Sequence, residues 1–351
     1  MLRERRYTIP EFLEAITELE IGDQAKKRMI VLNAEYSKEE ILKILEDNEF
    51  VHTNLGEIEL LTAKYSIYGQ IEFTVDYYLF QDRESGLFII FTLDSLSDYY
   101  RTLRPIIDST ERMYHFWILP QVIEDVKDFV LSKEGSNITY FHGKKIQLSR
   151  RFEKERRPDF SRDIKYEGRD AQDSLEEMKI EYGILPLKLS FSVPPICEFS
   201  IYSEGVFVLE WGNFKFLYDE VIRRIMKLSM AANKKIGDSK ITINNVNGID
   251  FLRMKKVRFV LEQRIEYDNF NRFLELMKEA GFFTYNATLK RGSIIFSGDV
   301  VDSKKGNIFT ISTDGTEFDL VPKYDSGYDS LLRFFRFLVE NIDFMTKIGD
   351  I

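Results

Sequence analysis

Apolar side chains at three- and four-residue spacing alternate along this chain with short runs at two-residue spacing. The pattern is clearest toward the C-terminus. Residues 256–263 form a β-prone run containing Val257, Phe259 and Val260. Asp268 is placed to cap a helix in which Phe270, Phe273, Leu274 and Met277 recur at helical spacing, and Gly281 supplies the left-handed stop. Four short strands are predicted next, over 282–289, 294–301, 308–312 and 317–321, separated by Arg291-Gly292, Lys305-Gly306 and Asp314-Gly315. An Asp-Gly pair suits the positive φ angles of a tight hairpin turn. From Ser326 a long helix carries Leu331, Phe334, Phe335, Leu338, Ile342 and Met345. The order is β-α-β-β-β-β-α.

The middle of the chain repeats this plan. A strand at 162–166 precedes a helix at 171–182 that ends at Gly183; strands at 188–193, 198–202 and 206–211 lead to a closing helix at 214–232. The first third matches again. A strand at 30–32 is followed by a helix at 38–47 under a Ser37/Glu40 capping box, then strands near 57–63, 71–79 and 87–93. Ser95 and Asp98 make a second capping box for a helix with Leu96, Tyr99, Leu103 and Ile106, and a further helix is predicted at 121–131. The fold class expected is α+β: three diverged β-α-antiparallel-meander-α units with helices on one face of each sheet. The corresponding segments are an N-terminal helical stretch at 1–29, units at 30–137, 162–240 and 241–351, and a basic linker at 138–161.

This element order resembles the fold unit of the TATA-binding protein and, more loosely, the helix-grip ligand-binding folds. The resemblance spans most of the chain but lies in element order alone, with no family sequence motif to carry over. It implies a curved antiparallel sheet whose free face meets a partner. Each predicted helix has one apolar stripe, which likewise leaves one sheet face open.

Composition narrows the chemistry. Hydrophobic residues at 44% and charged residues at 30% describe an ordered globular chain. Cys197 is the single cysteine, so no intrachain disulfide can form and a reducing compartment is expected. The basic start of the chain runs into an amphipathic stretch with Glu11, Glu14 and Glu18 rather than an apolar signal core. With no apolar run near the roughly 20 residues that span a bilayer, the expected location is the cytoplasm, with no membrane partner.

The sequence has no phosphate-cradling glycine loop and no Cys/His cluster with zinc spacing, so no cofactor or metal is expected. His52, His115 and His142 lie in different units and read as packed histidines; Cys197 reads as a structural thiol. Pro158-Asp159 followed by Glu177-Met178-Lys179 resembles a metal-dependent nuclease signature. Inside a helix, however, residues two apart point about 200° from each other, so Glu177 and Lys179 could not share a site.

One charge anomaly stands out. Between residues 144 and 169 there are ten basic side chains, Lys144, Lys145, Arg150, Arg151, Lys154, Arg156, Arg157, Arg162, Lys165 and Arg169, against five acidic ones. The chain as a whole nets −9. Phe152, Phe160 and Tyr166 are interleaved, and arginine with aromatic side chains can hold phosphates and stack on bases. The nucleic-acid-binding residues expected are these ten cations with Phe152 and Tyr166; the competing reading of the segment is a solvated linker. The leading expectation is a non-enzymatic nucleic-acid-binding or scaffold protein that acts beside a catalytic protein partner. The alternatives are a protein-interaction subunit without nucleic acid, a magnesium-dependent nuclease, and a helix-grip pocket for an apolar ligand.

Overall fold

The computed structural model describes residues 2–3, 5–19, 26–67, 71–146, 163–237, 242–246, 249–253, 256–292, 295–323 and 329–349. The chain is mixed α+β with antiparallel sheets. It divides into two compact units. One comprises Met1–His142, Lys165–Ser174 and Pro186–Ser229; the other comprises Gly143–Ile164, Leu175–Leu185 and Met230–Ile351.

In the first unit, Thr8 and Glu11 form a capping box that opens α1 (Ile9–Glu18). The strand β1 (Lys27–Ala34) leads to α2 (Lys38–Glu46), capped by Ser37 and Glu40 as the sequence predicts. A four-strand meander follows: β2 (Val51–Leu55), β3 (Ile58–Ile67), β4 (Ile71–Gln81) and β5 (Phe88–Thr92). The Ser95/Asp98 box then opens α3 (Leu96–Arg101), and α4 (Leu103–Ser109) follows it. The single helix expected here breaks at Thr102. Pro105 offers no N–H to the Arg101 carbonyl, and its ring crowds that carbonyl.

Next come β6 (Met113–His115), α5 (Pro120–Leu131), β7 (Asn137–Lys145), β8 (Asp163–Glu167) and α6 (Ala171–Tyr182). Then β9 (Ile184–Val193), β10 (Cys197–Tyr202) and β11 (Val206–Gly212) precede α7 (Phe214–Phe216), which runs through a π-helical turn into α8 (Arg223–Gly237).

These strands form one sheet in the order β2-β3-β4-β5-β1-β11-β10-β9-β7-β8, with β6 also paired to β1. Here the fold departs from expectation. The units predicted at 30–137 and 162–240 are not separate, because β1 pairs with β5 on one side (Ile30 opposite Ile90) and with β11 on the other (Ile30 opposite Val206). The start of the predicted linker is also a strand, β7. A strand buried on both faces, as β1 is over Met29, Ile30, Val31 and Leu32, belongs in a sheet interior rather than at an edge.

The expectation of helices on one face is corrected for this sheet. On one face, Ile30, Leu32, Leu61, Val75, Tyr77, Leu79, Phe88 and Ile90 pack with Ile41 and Leu45 of α2, Tyr99 of α3 and Leu103 and Ile107 of α4. On the other, Phe12 of α1 lies 6.0 Å from Phe80 and 5.9 Å from Phe91, and Phe214 lies 5.9 Å from Phe91. The cause is local sequence: all five residues of β5 are buried, so apolar side chains emerge from both sides and both need cover.

In the second unit, β12 (Thr242–Val246) and β13 (Ile249–Arg253) form a hairpin. After β14 (Val257–Val260), a short 3-10 turn runs into α9 (Phe270–Glu279), with no side-chain cap from the predicted Asp268. Gly281 does take its predicted left-handed conformation, at φ +90°. The strands β15 (Phe282–Leu289), β16 (Phe296–Asp302), β17 (Ile308–Thr313) and β18 (Glu317–Lys323), then α10 (Asp329–Asn341) and β19 (Lys347–Ile348), complete the order β15-β16-β17-β18-β14-β19.

Burial alternates strictly along β17 and β18. Phe259, Phe309 and Phe318 meet Phe273 of α9 and Phe334 and Phe335 of α10. A buried polar lock joins α10 to the β16–β17 turn. Asp302 accepts the Ser330 hydroxyl at 2.9 Å and the Lys304 N–H at 3.0 Å, and it pairs with Arg333. In both sheets the strand before the meander pairs with the last meander strand: β2-β3-β4-β5-β1 in one, β15-β16-β17-β18-β14 in the other.

Candidate functional site

The β11-β10-β9-β7-β8 half of the first sheet differs on its two faces. Phe191 and Phe199, whose rings stack 5.3 Å apart, are buried with Leu189, Ile201, Phe207 and Leu209 on one side. The alternating positions give the other face Val206, Val208 and Glu210 on β11, Glu198, Ser200 and Tyr202 on β10, and Lys188, Ser190 and Ser192 on β9. Register aligns these side chains in rows: Ser200 sits opposite Ser190 with hydroxyls 2.8 Å apart, and Ser192 donates to Glu198 at 3.0 Å. This is a polar sheet face that continues the apolar face under α2, α3 and α4.

Lys188 continues the row that runs from Ile30 through Val206 and Tyr202. Its ammonium nitrogen lies 4.7 Å from the ring centroid of Tyr140 on β7 and 4.9 Å from that of Tyr202, which sits opposite it. Among the described residues no carboxylate comes within ion-pairing distance of it. Burial lowers the Lys188 pKa, and the more distant Glu210 and Glu167 act against that shift. Ring faces supply the electron density that a carboxylate would otherwise provide.

Arg28 stands one row away, 9% exposed. It donates to the Lys26 carbonyl at 2.9 Å and the Leu93 carbonyl at 3.0 Å, and burial lowers its pKa. Its Nε has no hydrogen-bond partner among the described residues. Lys26 pairs with Glu210. On α3, Tyr100 is 42% exposed, with the Arg104 guanidinium 5.0 Å from its ring centre; Arg104 in turn pairs with Glu204 at 3.0 Å. The arrangement joins flat aromatic surfaces to cations. It can stack on planar groups and hold an anion.

The predicted site residues divide three ways. Arg150, Arg151, Phe152, Lys154, Arg156, Arg157 and Arg162 lie outside the described residues. Lys165, on β8, is exposed and alternates with Glu167, one of the groups acting on Lys188; it belongs to the same polar face. Tyr166 points the other way: its ring stacks on Phe141 at 5.7 Å and its hydroxyl donates to Asp170 at 2.8 Å. Lys144 donates to the Asn341 side chain at 2.9 Å, Lys145 ends β7, and Arg169 is exposed just before α6.

Lys188, Tyr140, Tyr202, Tyr100 and Arg28 were not singled out in the sequence. The available signal was the polar alternation Lys188-Ser190-Ser192 and Glu198-Ser200-Tyr202 within strands that were themselves predicted.

The other chemical candidates are absorbed into packing. The Tyr99 hydroxyl lies 3.0 Å from His115 Nδ1 beneath α3, and His115 Nε2 is 3.6 Å from Asp108. His52 meets Glu46 at 2.6 Å. Burial pushes the Cys197 thiol up to about 12, so it stays protonated at neutral pH. Glu177 and Lys179 do lie on a helix, α6, where Lys179 pairs with Glu176 at 3.4 Å, while Asp159 lies outside the described residues. Among the described residues, no helix is long and apolar enough to cross a membrane.

Residues 121–204, which include most of the polar face, match the AF_0896_M family middle domain. An uncharacterized protein of Archaeoglobus fulgidus is 22% identical over 359 residues, spanning 95% of this chain and 92% of its own.

Proposed function

We propose that this protein binds nucleic acid on the polar face of its first sheet, as a non-enzymatic platform working beside a catalytic protein partner. The observation that carries the reading is Lys188, held between Tyr140 and Tyr202 with no carboxylate in ion-pairing distance among the described residues. A half-buried cation left available beside aromatic rings suits phosphate with adjoining bases. Lys165 adds an exposed cation to this face, and the basic run through residue 162 adjoins β8 in sequence. The strand order shared by β2-β3-β4-β5-β1 and β15-β16-β17-β18-β14 supports treating these as diverged copies of one unit, akin to that of the TATA-binding protein. The middle segment departs from this plan: β8 lies beyond β7 at the β9 end, and the last meander strand, β11, pairs with β1.

The test is a salt titration of binding to labelled oligonucleotides, comparing wild type with Lys165→Gln/Lys188→Gln. For every phosphate that the substituted protein no longer neutralises, the slope of log affinity against log salt should flatten by about 0.7–0.9. Absence of binding at low salt, or an unchanged slope, refutes the reading.

A second reading concerns the outer face of the second sheet, which fits a protein partner better than a phosphate. Its cations are already neutralised: Arg258 pairs with Asp319 at 2.7 Å and Glu317 at 2.8 Å, Lys256 with Asp319 at 3.0 Å, and Lys323 with Asp299 at 2.6 Å. Beside them Phe283 and Tyr285 of β15 are 45% and 37% exposed. Chemical crosslinking of the protein in its native extract, mapped by mass spectrometry, would place a partner there or exclude it.

A further inference from the structure

We infer that the nucleic acid taken up by this face is single-stranded, with unpaired bases stacked on Tyr140 and Tyr202 and a backbone phosphate on Lys188. The inference rests on the nucleic-acid reading above and makes it specific.

Three features of the face lead to it. First, its recognition surface is aromatic. The exposed Tyr100 and the half-buried Tyr140 and Tyr202, the last packed along one side against the apolar core, supply the rings, and a ring stacks on a base only when the base face is uncovered. In an intact duplex each base face is covered by its neighbour at about 3.4 Å.

Second, the ring spacing is wrong for stacked neighbours. Tyr202, Lys188 and Tyr140 occupy the successive sheet strands β10, β9 and β7, and neighbouring strands lie about 4.8 Å apart. The two tyrosines therefore stem from strands about 10 Å apart, with the ammonium between their rings. Bases engaging both rings must be splayed from each other, as they are on sheet platforms that bind single strands.

Third, the charge on the face is small. Glu198, Glu210 and Glu167 share it with Lys188 and Lys165, and Lys26 is already paired with Glu210. A duplex binder that relies on backbone charge makes on the order of 6–10 phosphate contacts. Among the described residues this face has too few available cations for that, so stacking supplies much of the affinity.

The roles of the residues follow. Lys188 is a positioning cation whose flexible stem lets the ammonium rise from between the rings to a phosphate. Tyr140 and Tyr202 hold bases by their π faces, which tolerate any base and give little sequence preference.

The experiment is fluorescence anisotropy with the full chain at low salt, using one labelled short oligonucleotide as single-stranded DNA, as single-stranded RNA and as duplex DNA. Tyr140→Leu, Tyr202→Leu, Tyr140→Phe and Tyr202→Phe are measured beside wild type, with circular dichroism as a check on folding. The expected result is at least tenfold tighter binding of the single strands than of the duplex. Each leucine variant should weaken binding roughly 5- to 150-fold and each phenylalanine variant should preserve it, because only the ring is needed.

Equal or tighter binding of the duplex overturns the inference and leaves the nucleic-acid reading standing. So does full affinity in both folded leucine variants. If a leucine variant fails to fold, the phenylalanine pair decides: weakened binding there shows that stacking is not the mechanism. Failure of wild type to bind either form overturns the inference and the reading together.

Discussion

Replacing Phe12 by alanine tests whether α1 truly seals the second face of the large sheet. Phe12 is fully buried and its ring has four aromatic neighbours: Tyr78 at 5.3 Å, Tyr7 at 5.7 Å, Phe91 at 5.9 Å and Phe80 at 6.0 Å. Removing a buried phenylalanine costs about 3–5 kcal/mol, from the forfeited transfer energy and the cavity left behind. With rings on several sides, the strand side chains beneath cannot collapse into the hole, so the upper part of that range is expected. Against a domain stability of roughly 5–15 kcal/mol the effect is large. For a unit of this size it should lower the melting temperature by about 6–20 °C.

Scanning calorimetry is the right assay, because the chain has two compact units and need not melt in one step. The transition of the first unit should fall and that of the second should stay. A Phe12→Ala cost below about 1 kcal/mol would refute the packing argument, since an exposed phenylalanine costs little to remove. It would then follow that α1 is a peripheral segment and that this face of the sheet is open.

Other outcomes follow from the same geometry. Asp302→Ala removes the buried carboxylate that accepts from the Ser330 hydroxyl and the Lys304 N–H and pairs with the half-buried Arg333, and should cost about 3 kcal/mol in urea unfolding of the second unit. Lys188→Met keeps the stem packed between the tyrosines and removes a charge whose burial is unfavourable; stability by thermal melting should be unchanged or slightly higher while oligonucleotide affinity falls. Cys197 should resist thiol-specific reagents at neutral pH in the folded protein and react only on unfolding, as followed by absorbance. Its folded value near 12 exceeds the usual thiol value, so the unfolded chain gives up this proton first. The contribution of Cys197 to stability is therefore complete below about pH 8.5 and declines as the pH rises toward 12, which a Cys197→Ala comparison would isolate.

Much of this molecule is decided locally and is legible in the amino-acid order. The Ser37/Glu40 and Ser95/Asp98 boxes start helices where the sequence places them, because a cap needs only residues three apart. Gly183 and Gly281 end helices in the left-handed region because they lack a Cβ. The alternation in β17 and β18 marks a strand with one wet face, and the second sheet has its helices on one side accordingly.

What the order of residues left open was pairing between distant strands. β1 is short and apolar on both faces, which marks it as interior but does not name its neighbours; contact with β5 and with β11, some 60 and 180 residues away, is chosen by packing. That choice merged two expected units into one sheet. It also decided the candidate site. Lys188, Tyr140 and Tyr202 come from three strands, β8 and α6 intervening in sequence between β7 and β9, and only the register of β9 against β10 and its adjacency to β7 bring them into contact. Local sequence fixes which way each side chain points along its own strand, since that period is two residues. Which foreign side chain it then meets is a property of the sheet, because cross-strand neighbours are set by tertiary pairing and not by proximity along the chain.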